Sequence, residues 1–271
     1  MKSALFRISL LAMLTLMAVS IASPELLEAW ASQRDLSQRL LPPLSSGHLL
    51  GTDGLGRDVA WRLVVGAKHT VGIAGLATLI SAGIGIGLGL LSALASAWLR
   101  QALDRIVDLT MAFPSLVLAV TLVAVLGRSS FTLALALGLF SWPVFARVTA
   151  AQTRGIVSLP YVQTARYLGV SEWRIAFSHV IPVIAPTIGV LTALQFATLL
   201  ISTAGLSFLG LGPGLGVPEW GSMLAEARAE LNRAPWLLIG PGVAIAWTVL
   251  VMNSLAETLA SRLRLSHQRD L

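Results

Sequence analysis

The chain has no cysteine, and it carries few charged residues for a length of 271. Without cysteine it can form neither disulfides nor thiolate metal sites. Its histidines are scattered with no HExxH or similar spacing, so the sequence predicts no metal site and no cofactor. They are His48, His69, His179 and His267. Only 12% of the residues are charged, 55% are hydrophobic, and the mean hydropathy is +0.79. This composition excludes an ordinary soluble domain and indicates a membrane protein.

Six hydrophobic stretches predict an all-α, polytopic membrane protein with six transmembrane helices. Proline is expected to kink the third helix at Pro114 and lies in the last turns of the fourth, at Pro143. The predicted helices are Leu5–Ser23, Val71–Leu99, Ile106–Leu126, Phe131–Phe145, Val183–Leu206 and Trp236–Leu255.

The first stretch has two interpretations. Lys2 and Arg7 precede it, and Ser20-Ile21-Ala22 offers the small residues of a cleavage site, as in a secretory signal. The alternative is an uncleaved anchor that begins in the cytoplasm.

The charged residues favour a topology with both termini in the cytoplasm. In that arrangement eleven of the 19 Lys and Arg and five of the 13 acidic residues lie inside. The outer segments then hold eight basic and eight acidic residues, so the net charge of +6 lies on the cytoplasmic side. This agrees with the positive-inside rule and explains the basic balance without nucleic acid.

Four glycines alternate along the second predicted helix. They form two pairs spaced four residues apart, Gly83 with Gly87 and Gly85 with Gly89. In membrane helices such pairs let another backbone approach closely, so we predict tight helix packing here.

The longest charged interruption in the apolar C-terminal half is Tyr161–Pro186. Val162–Leu168 is expected to form a short helix that ends at Gly169, because glycine turns there without steric cost. Ser171 resembles the N-cap of a second short helix reaching about Ile181. The sequence therefore predicts a compact protrusion, suited to being gripped by another protein, although an ordinary polar loop between two helices is the alternative.

The spacing in this segment resembles the cytoplasmic coupling loop of ABC importer permeases. That pattern is Glu-Ala-Ala, three residues, Gly, nine residues, then Ile-x-Leu-Pro. The chain departs from it at Gln163, Thr164 and His179. The positions that correspond to the pattern, including these three departures, are Gln163, Thr164, Ala165, Gly169, His179, Ile181 and Pro182.

Two further motifs are similar to the peptide/nickel branch of these permeases. The first is GTDGLGRD at 51–58, a glycine-rich turn before a predicted amphipathic helix, Arg57–Gly66. No Gly-Lys-Ser/Thr follows it, so a phosphate-binding loop is not favoured. The second comprises SFLGLG at 207–212 and PEWGSML at 218–224, and it is the most specific match in the chain.

The resemblance implies a type I ABC importer permease fold. Its expected divisions are residues 1–69 (first helix and outer segment), 70–260 (five helices, with the coupling loop at 161–182) and 261–271 (cytoplasmic tail). It implies a subunit of a bacterial inner membrane importer for di- or oligopeptides, or for nickel or metal chelates, that is not itself an enzyme. The expected partners are a second permease in a heterodimer, two ABC ATPase subunits, a periplasmic or lipid-anchored solute-binding protein, and membrane lipid.

In the coupling loop, the resemblance implies that Gly169 allows the bend and that Ala165 allows close contact. It implies that Ile181 and Pro182 anchor the loop rigidly to the fifth helix. Gln163 is expected to weaken or re-route a polar contact that the family's Glu would make.

Other membrane functions fit less well. A secondary transporter is expected to hold ionisable groups at mid-membrane, whereas the most polar deep residues here are Gln195 and Asn253. An intramembrane enzyme needs a nucleophile and base or a metal cluster within its helices, which the sequence does not offer. A secondary transporter or channel without an ATPase is the alternative.

Overall fold

The structure is a computed structural model that describes residues 11, 15, 18, 24–45, 47–214 and 216–269. Apart from two isolated bridges, the regular structure of these residues is helical. The α-helices are α1 (Pro24–Ser32), α2 (Val59–Leu94), α3 (Ala97–Ala112), α4 (Ser115–Leu126), α5 (Ser130–Val157), α6 (Pro160–Tyr167), α7 (Glu172–Ile175), α8 (Ile181–Leu206), α9 (Trp220–Ala229) and α10 (Ile239–Arg269).

Short helical turns of other geometry link several of these helices. Two are π-helical turns, Ala176–Val180 and Ser207–Leu211, and two are 3-10 turns, Leu36–Gln38 and Pro235–Leu238.

Within the described residues, four helical segments are long and apolar enough to cross a membrane. They are Val59–Leu94, Ser130–Val157, Glu172–Leu211 and Pro235–Ser261. The pair α3 and α4 would be a fifth span, bent by 82°. The first predicted helix, Leu5–Ser23, lies almost entirely outside the described residues.

The second predicted helix begins earlier in the structure than the sequence prediction placed it. Asp58 caps α2 by accepting a hydrogen bond from the backbone N–H of Trp61 at 3.0 Å, so the helix begins at Val59 and not at Val71. The amphipathic segment predicted at 57–66 is therefore the first part of this helix. The domain boundary expected between residues 69 and 70 falls inside it.

The third and fourth spans also differ from the sequence prediction. The helix expected over Ile106–Leu126 is broken at Phe113 and Pro114, so α3 and α4 meet at a sharp bend instead of a kink. The fourth span continues past Phe145 to Val157, with Pro143 accommodated inside it.

Helices α2 and α5 form the centre of the fold and run in parallel. A Cβ built on Gly138 of α5 would lie 2.7 Å from Ile80, and one on Gly89 of α2 would lie 2.7 Å from Thr149. Residue numbers therefore increase together along the two helices, which lie nearly in backbone contact.

Three apolar clusters follow α2 from one end to the other. At its start, Val59, Ala67 and Val71 pack with Trp220 and Leu237. Farther along, Ile73 and Ala77 pack with α4, α5 and α8, and at the end Leu90 and Leu94 contact the segment around Ile175. From Gly66, beside Trp220, to Leu94 the helix rises roughly 42 Å at 1.5 Å per residue, more than the ~30 Å of a hydrocarbon core. The helix is therefore long enough to carry the two polar ends of the fold to opposite sides of a membrane.

Candidate functional site

The candidate coupling loop, residues 161–182, turns at Gly169. Helix α6 ends at Tyr167, and Gly169 then takes a φ of +81°, a left-handed conformation that favours glycine. The Ser171 side chain caps α7 by accepting from the backbone N–H of Arg174 at 3.4 Å. The predicted turn between two helices is thus present.

The second helix of the loop is not a separate short helix as predicted. It continues through the π-helical turn Ala176–Val180 into α8. Pro182 lacks the N–H that would bond four residues back, and the N–H of Ile181 reaches the carbonyl of Ala176 across the wider turn. The loop is therefore rigidly joined to the span that follows it.

Apolar side chains other than the expected ones anchor the loop. Val162, Ile175 and Val180 are fully buried, in one cluster with Val157 and Ile184. By contrast, Ile181 is only partly buried and Pro182 is exposed, and their anchorage to the fifth predicted helix stays a prediction.

The opposite side of the loop exposes large apolar groups. Tyr167 is 87% exposed, Leu168 79% and Trp173 72%, and Tyr161 is also exposed. Sequence analysis missed these four residues, although aromatic residues within an otherwise polar segment were a usable signal. A surface of this kind suits protein contact.

The polar residues of the loop bond to one another and to the residues just before the loop. Gln163 donates through Nε2 to the carbonyl of Val157 at 2.8 Å, and Thr164 donates to the carbonyl of Pro160. Arg166 and Glu172 form an ion pair of 2.7 Å across the Gly169 turn. The Gln163 side chain thus ties the loop to the last residue of α5.

Two other sequence-predicted positions in the loop have local partners. The carbonyl of Ala165 accepts from the backbone N–H of Val170, which helps close the turn. His179 lies in the π-helical turn, where its ring meets the Tyr161 ring edge-on at 6.1 Å between centroids.

The two glycine pairs lie on different faces of α2. A Cβ on Gly85 would lie 2.5 Å from both the Phe145 Cβ and the Trp142 carbonyl oxygen, so this face admits only glycine against α5. A Cβ on Gly83 or Gly87 would meet nothing within 4 Å among the described residues. Of the four glycines, Gly85 and Gly89 pack against other helices in the described part of the chain, and Gly83 and Gly87 do not.

Two ion pairs hold α3 against α5 near the candidate coupling loop. Arg154 donates to both Asp104 oxygens at 2.9 Å and also to Ser92 of α2, and Arg147 pairs with Asp108 at 2.6 Å.

At the other end of α2, the two sequence motifs found far apart in the chain come together. We call residues 34–58 and 216–237 the outer cap. Asp53 pairs with Arg57 at 2.7 Å and with Arg62 at 2.5 Å, and both arginines also pair with Glu226 of α9. The GTDGLGRD turn is thus clamped to the helix that begins in PEWGSML.

The ion pairs of this clamp also affect the pKa of Asp53. Burial alone would raise the pKa of Asp53, but the guanidinium groups of Arg62 and Arg57 and backbone N–H donors outweigh it. The pKa therefore lies below its usual range, and the carboxylate stays ionised inside the cap.

Glu219 and Trp220 attach α9 to the start of α2. The fully buried Glu219 carboxylate caps α9 by accepting from the backbone N–H groups of Gly221 and Ser222, and it also accepts from the Thr70 hydroxyl at 2.9 Å. The Trp220 indole donates to the carbonyl of Leu63 at 2.9 Å. Burial raises the pKa of Glu219.

Residues 85–265, about two thirds of the chain, match the family described as "Binding-protein-dependent transport system inner membrane component". The chain belongs to this family. It is therefore a permease subunit of a binding-protein-dependent ABC importer, an integral multi-pass protein of the bacterial inner membrane. Permease subunits of this kind are not themselves enzymes. The resemblance stated from the motifs is confirmed.

Two relatives place the permease within the peptide/nickel branch. It is 37% identical over 219 residues to the glutathione transport system permease protein GsiD of Pectobacterium atrosepticum, covering 81% of this chain and 73% of that one. It is 32% identical over 262 residues to the dipeptide transport system permease protein DppC of Alkalihalophilus pseudofirmus, covering 97% and 86%.

A solved structure of the MetNI methionine ABC transporter has a similar fold. The TM-score is 0.58 at 16% identity, covering 73% of this permease and 96% of that chain. The predicted all-α, type I ABC permease fold is thus confirmed. This likeness supports the fold alone.

Proposed function

We propose that the permease forms half of a path for small peptides and that ATPase subunits drive it through the candidate coupling loop. The second half of the path is a second permease, and a solute-binding protein delivers the cargo on the side of the outer cap. The loop and the C-terminal end of α10 then face the cytoplasm.

The observation that carries the coupling proposal is the two-sided build of the loop. Val162, Ile175 and Val180 fix its inner side, whereas Tyr167, Leu168 and Trp173 stay exposed. A protrusion that is rigidly anchored and apolar on its outer side is suited to transmit the movement of a bound partner, because the loop continues directly into α8.

The sidedness rests on charge and geometry. Arg147, Arg154, Arg166 and Arg174 all lie toward the loop end of the molecule, as the positive-inside rule expects of a cytoplasmic face. Leu259 of α10 lies beside Gly189 in the first half of α8, so α10 ends on the same side as the loop.

The cargo proposal rests on the relatives, which are named for glutathione and dipeptide transport. Nickel, the alternative given by the sequence resemblance, has no such support from them.

Replacement of Gly169 by leucine tests the proposal. A leucine at a φ of +81° costs roughly 1–2 kcal/mol, and its side chain projects from the proposed contact surface. We expect near-normal membrane levels of Gly169→Leu, with loss of both ATPase co-purification and uptake of labelled dipeptide or glutathione.

Two variants serve as controls. Gly155→Leu makes the same substitution in open space on the same side, without positive φ, and we expect little effect. Gly169→Asn tolerates the left-handed backbone and is expected to keep most of the activity. Normal uptake by well-expressed Gly169→Leu would overturn the coupling proposal, and uptake of a nickel chelate in place of peptide would overturn the cargo proposal.

A further inference from the structure

Most acidic residues of the outer cap are buried or ion-paired, whereas four of its five arginines, all but Arg57, are exposed. Asp53, Asp58 and Glu219 are buried, and Glu226 is held by Arg57 and Arg62. The outer segments carry equal numbers of basic and acidic residues in the sequence, so their surface charge depends on which side chains face outward.

The most exposed charged side chains beside one pocket are arginines. Arg34 is exposed and has no ion-pair partner among the described residues, whereas Arg39 and Arg233 share the single carboxylate of Glu230. Their side chains are 48% and 75% exposed, and that of Glu230 is 17% exposed. We call Arg34, Arg39 and Arg233 the arginine rim.

Arg34 and Arg39 of the arginine rim line a pocket of about 520 Å³ between the first part of the outer cap and α9, and Arg233 pairs with Glu230 in its wall. Arg34, Arg39, Glu226 and Glu230 line its walls, and Arg62 lies in its floor. Arg62 is 2% exposed, and its Nε has no hydrogen-bond partner among the described residues. The pocket thus combines a surplus of positive charge at its rim with a floor whose charged side chains are fixed by ion pairs.

Two other acidic groups near the pocket form no ion pair with the arginine rim among the described residues. Asp35 accepts from the backbone N–H and hydroxyl of its neighbour Ser37, and Glu28 pairs with Lys68 between α1 and α2. The excess of arginine at the pocket therefore remains available to a partner.

We propose that the arginine rim receives an acidic surface of the solute-binding protein. The inference rests on the proposed function, because it takes the outer cap to be the side on which cargo arrives. Complementary charge steers association and fixes the orientation of the partner. The pocket is also joined to α2 through Arg62, so a partner seated there contacts the helix that leads to the candidate coupling loop.

The test uses the complete transporter, with its partner permease and ATPase subunits, in phosphatidylcholine nanodiscs. ATP hydrolysis is measured while the peptide-loaded binding protein is titrated. For Arg39→Glu/Arg233→Glu we expect the half-maximal concentration to rise roughly tenfold or more, with basal hydrolysis unchanged. Added salt should weaken stimulation of the wild type more than that of the variant.

Arg128→Glu is the matched control, since it makes the same charge change in the exposed turn between α4 and α5, on the same side of the membrane. It should leave the titration unchanged. If the double variant does not assemble, Arg34→Gln and Arg39→Gln test the same rim and should shift the titration in the same direction, by less.

The outcomes separate the two proposals. A wild type that no peptide-loaded binding protein stimulates would contradict the proposed function. A stimulated wild type with an identical titration for the rim variants would overturn this inference alone. An effect of the variants seen only when phosphatidylglycerol is added to the nanodiscs would assign the rim to anionic lipid and also overturn it.

Discussion

At the scale of single residues, the glycines of α2 show what a spacing can and cannot predict. Four glycines at alternate positions place two pairs on two faces of a helix. The sequence does not say which face meets another helix, because that depends on where α5 runs. In the structure, α5 passes over Gly85 and Gly89 and leaves Gly83 and Gly87 uncovered within this chain.

Alanine substitutions at these glycines give a prediction. In Gly85→Ala the new Cβ collides with Phe145 and with the Trp142 backbone, so α2 and α5 must separate, and we expect a loss of about 1–3 kcal/mol. Thermal unfolding of the purified permease in detergent measures the change. Gly83→Ala, two residues away and in open space, should unfold no earlier than the wild type. Equal losses in both variants would contradict the assigned face.

At the scale of helices, the sequence predicted where apolar segments lie better than where helices end. Hydropathy reports the part of a helix that suits lipid, so it missed the start of α2, whose first turns are packed under the outer cap. It also missed the fusion of the loop's second helix with α8, since Pro182 suggested a break that the π-helical turn absorbs. Gly169 was predictable because a local conformation, and not a distant contact, requires it.

The helix cap at Glu219 leads to a pH prediction. Because burial raises the pKa of Glu219, its contribution to stability is present below the ordinary pKa and is lost as the pH rises through the raised value. Asp53 has the opposite dependence, since its lowered pKa matters only in acid. From about pH 5 upward we expect the stability of the wild type to fall with rising pH relative to that of Glu219→Gln, which lacks the titrating carboxyl group.

Unfolding temperatures across this pH range check the prediction, and the slope is the relevant quantity, because Gln also weakens the cap itself. Glu28→Gln, at a half-exposed carboxylate, should keep the wild-type slope. A Glu219→Gln slope equal to that of the wild type would show that Glu219 does not titrate there.

At the scale of the whole molecule, composition predicted a membrane protein, which the family confirms, and the charges predict a sidedness that stays a prediction. Neither could predict that distant motifs join. Asp53 and Glu226 are separated by most of the chain. No local sequence pattern predicts that both carboxylates pair with the same arginines. The sequence count of outer charges was balanced, and only folding determines which of these charges face outward.

Single cysteines test the sidedness cleanly, because the chain has none of its own. Ala229→Cys in the outer cap should react with an impermeant thiol reagent added to intact cells. Ser171→Cys in the candidate coupling loop should react only after permeabilisation. Both positions are exposed, so access across the membrane decides the result. Labelling of Ser171→Cys by reagent added to intact cells would contradict the proposed orientation.

The unbroken course of α2 has a thermodynamic consequence. No proline interrupts its 36 residues, and its two ends serve the outer cap and the base of the candidate coupling loop. Ligands that bind at the two ends of such an element are linked equilibria. Whatever factor the outer partner imposes on ATPase affinity, the ATPase must impose on the affinity of the outer partner. A change that weakens ATPase binding at the candidate coupling loop should therefore also alter the dissociation constant of the partner that binds the outer cap.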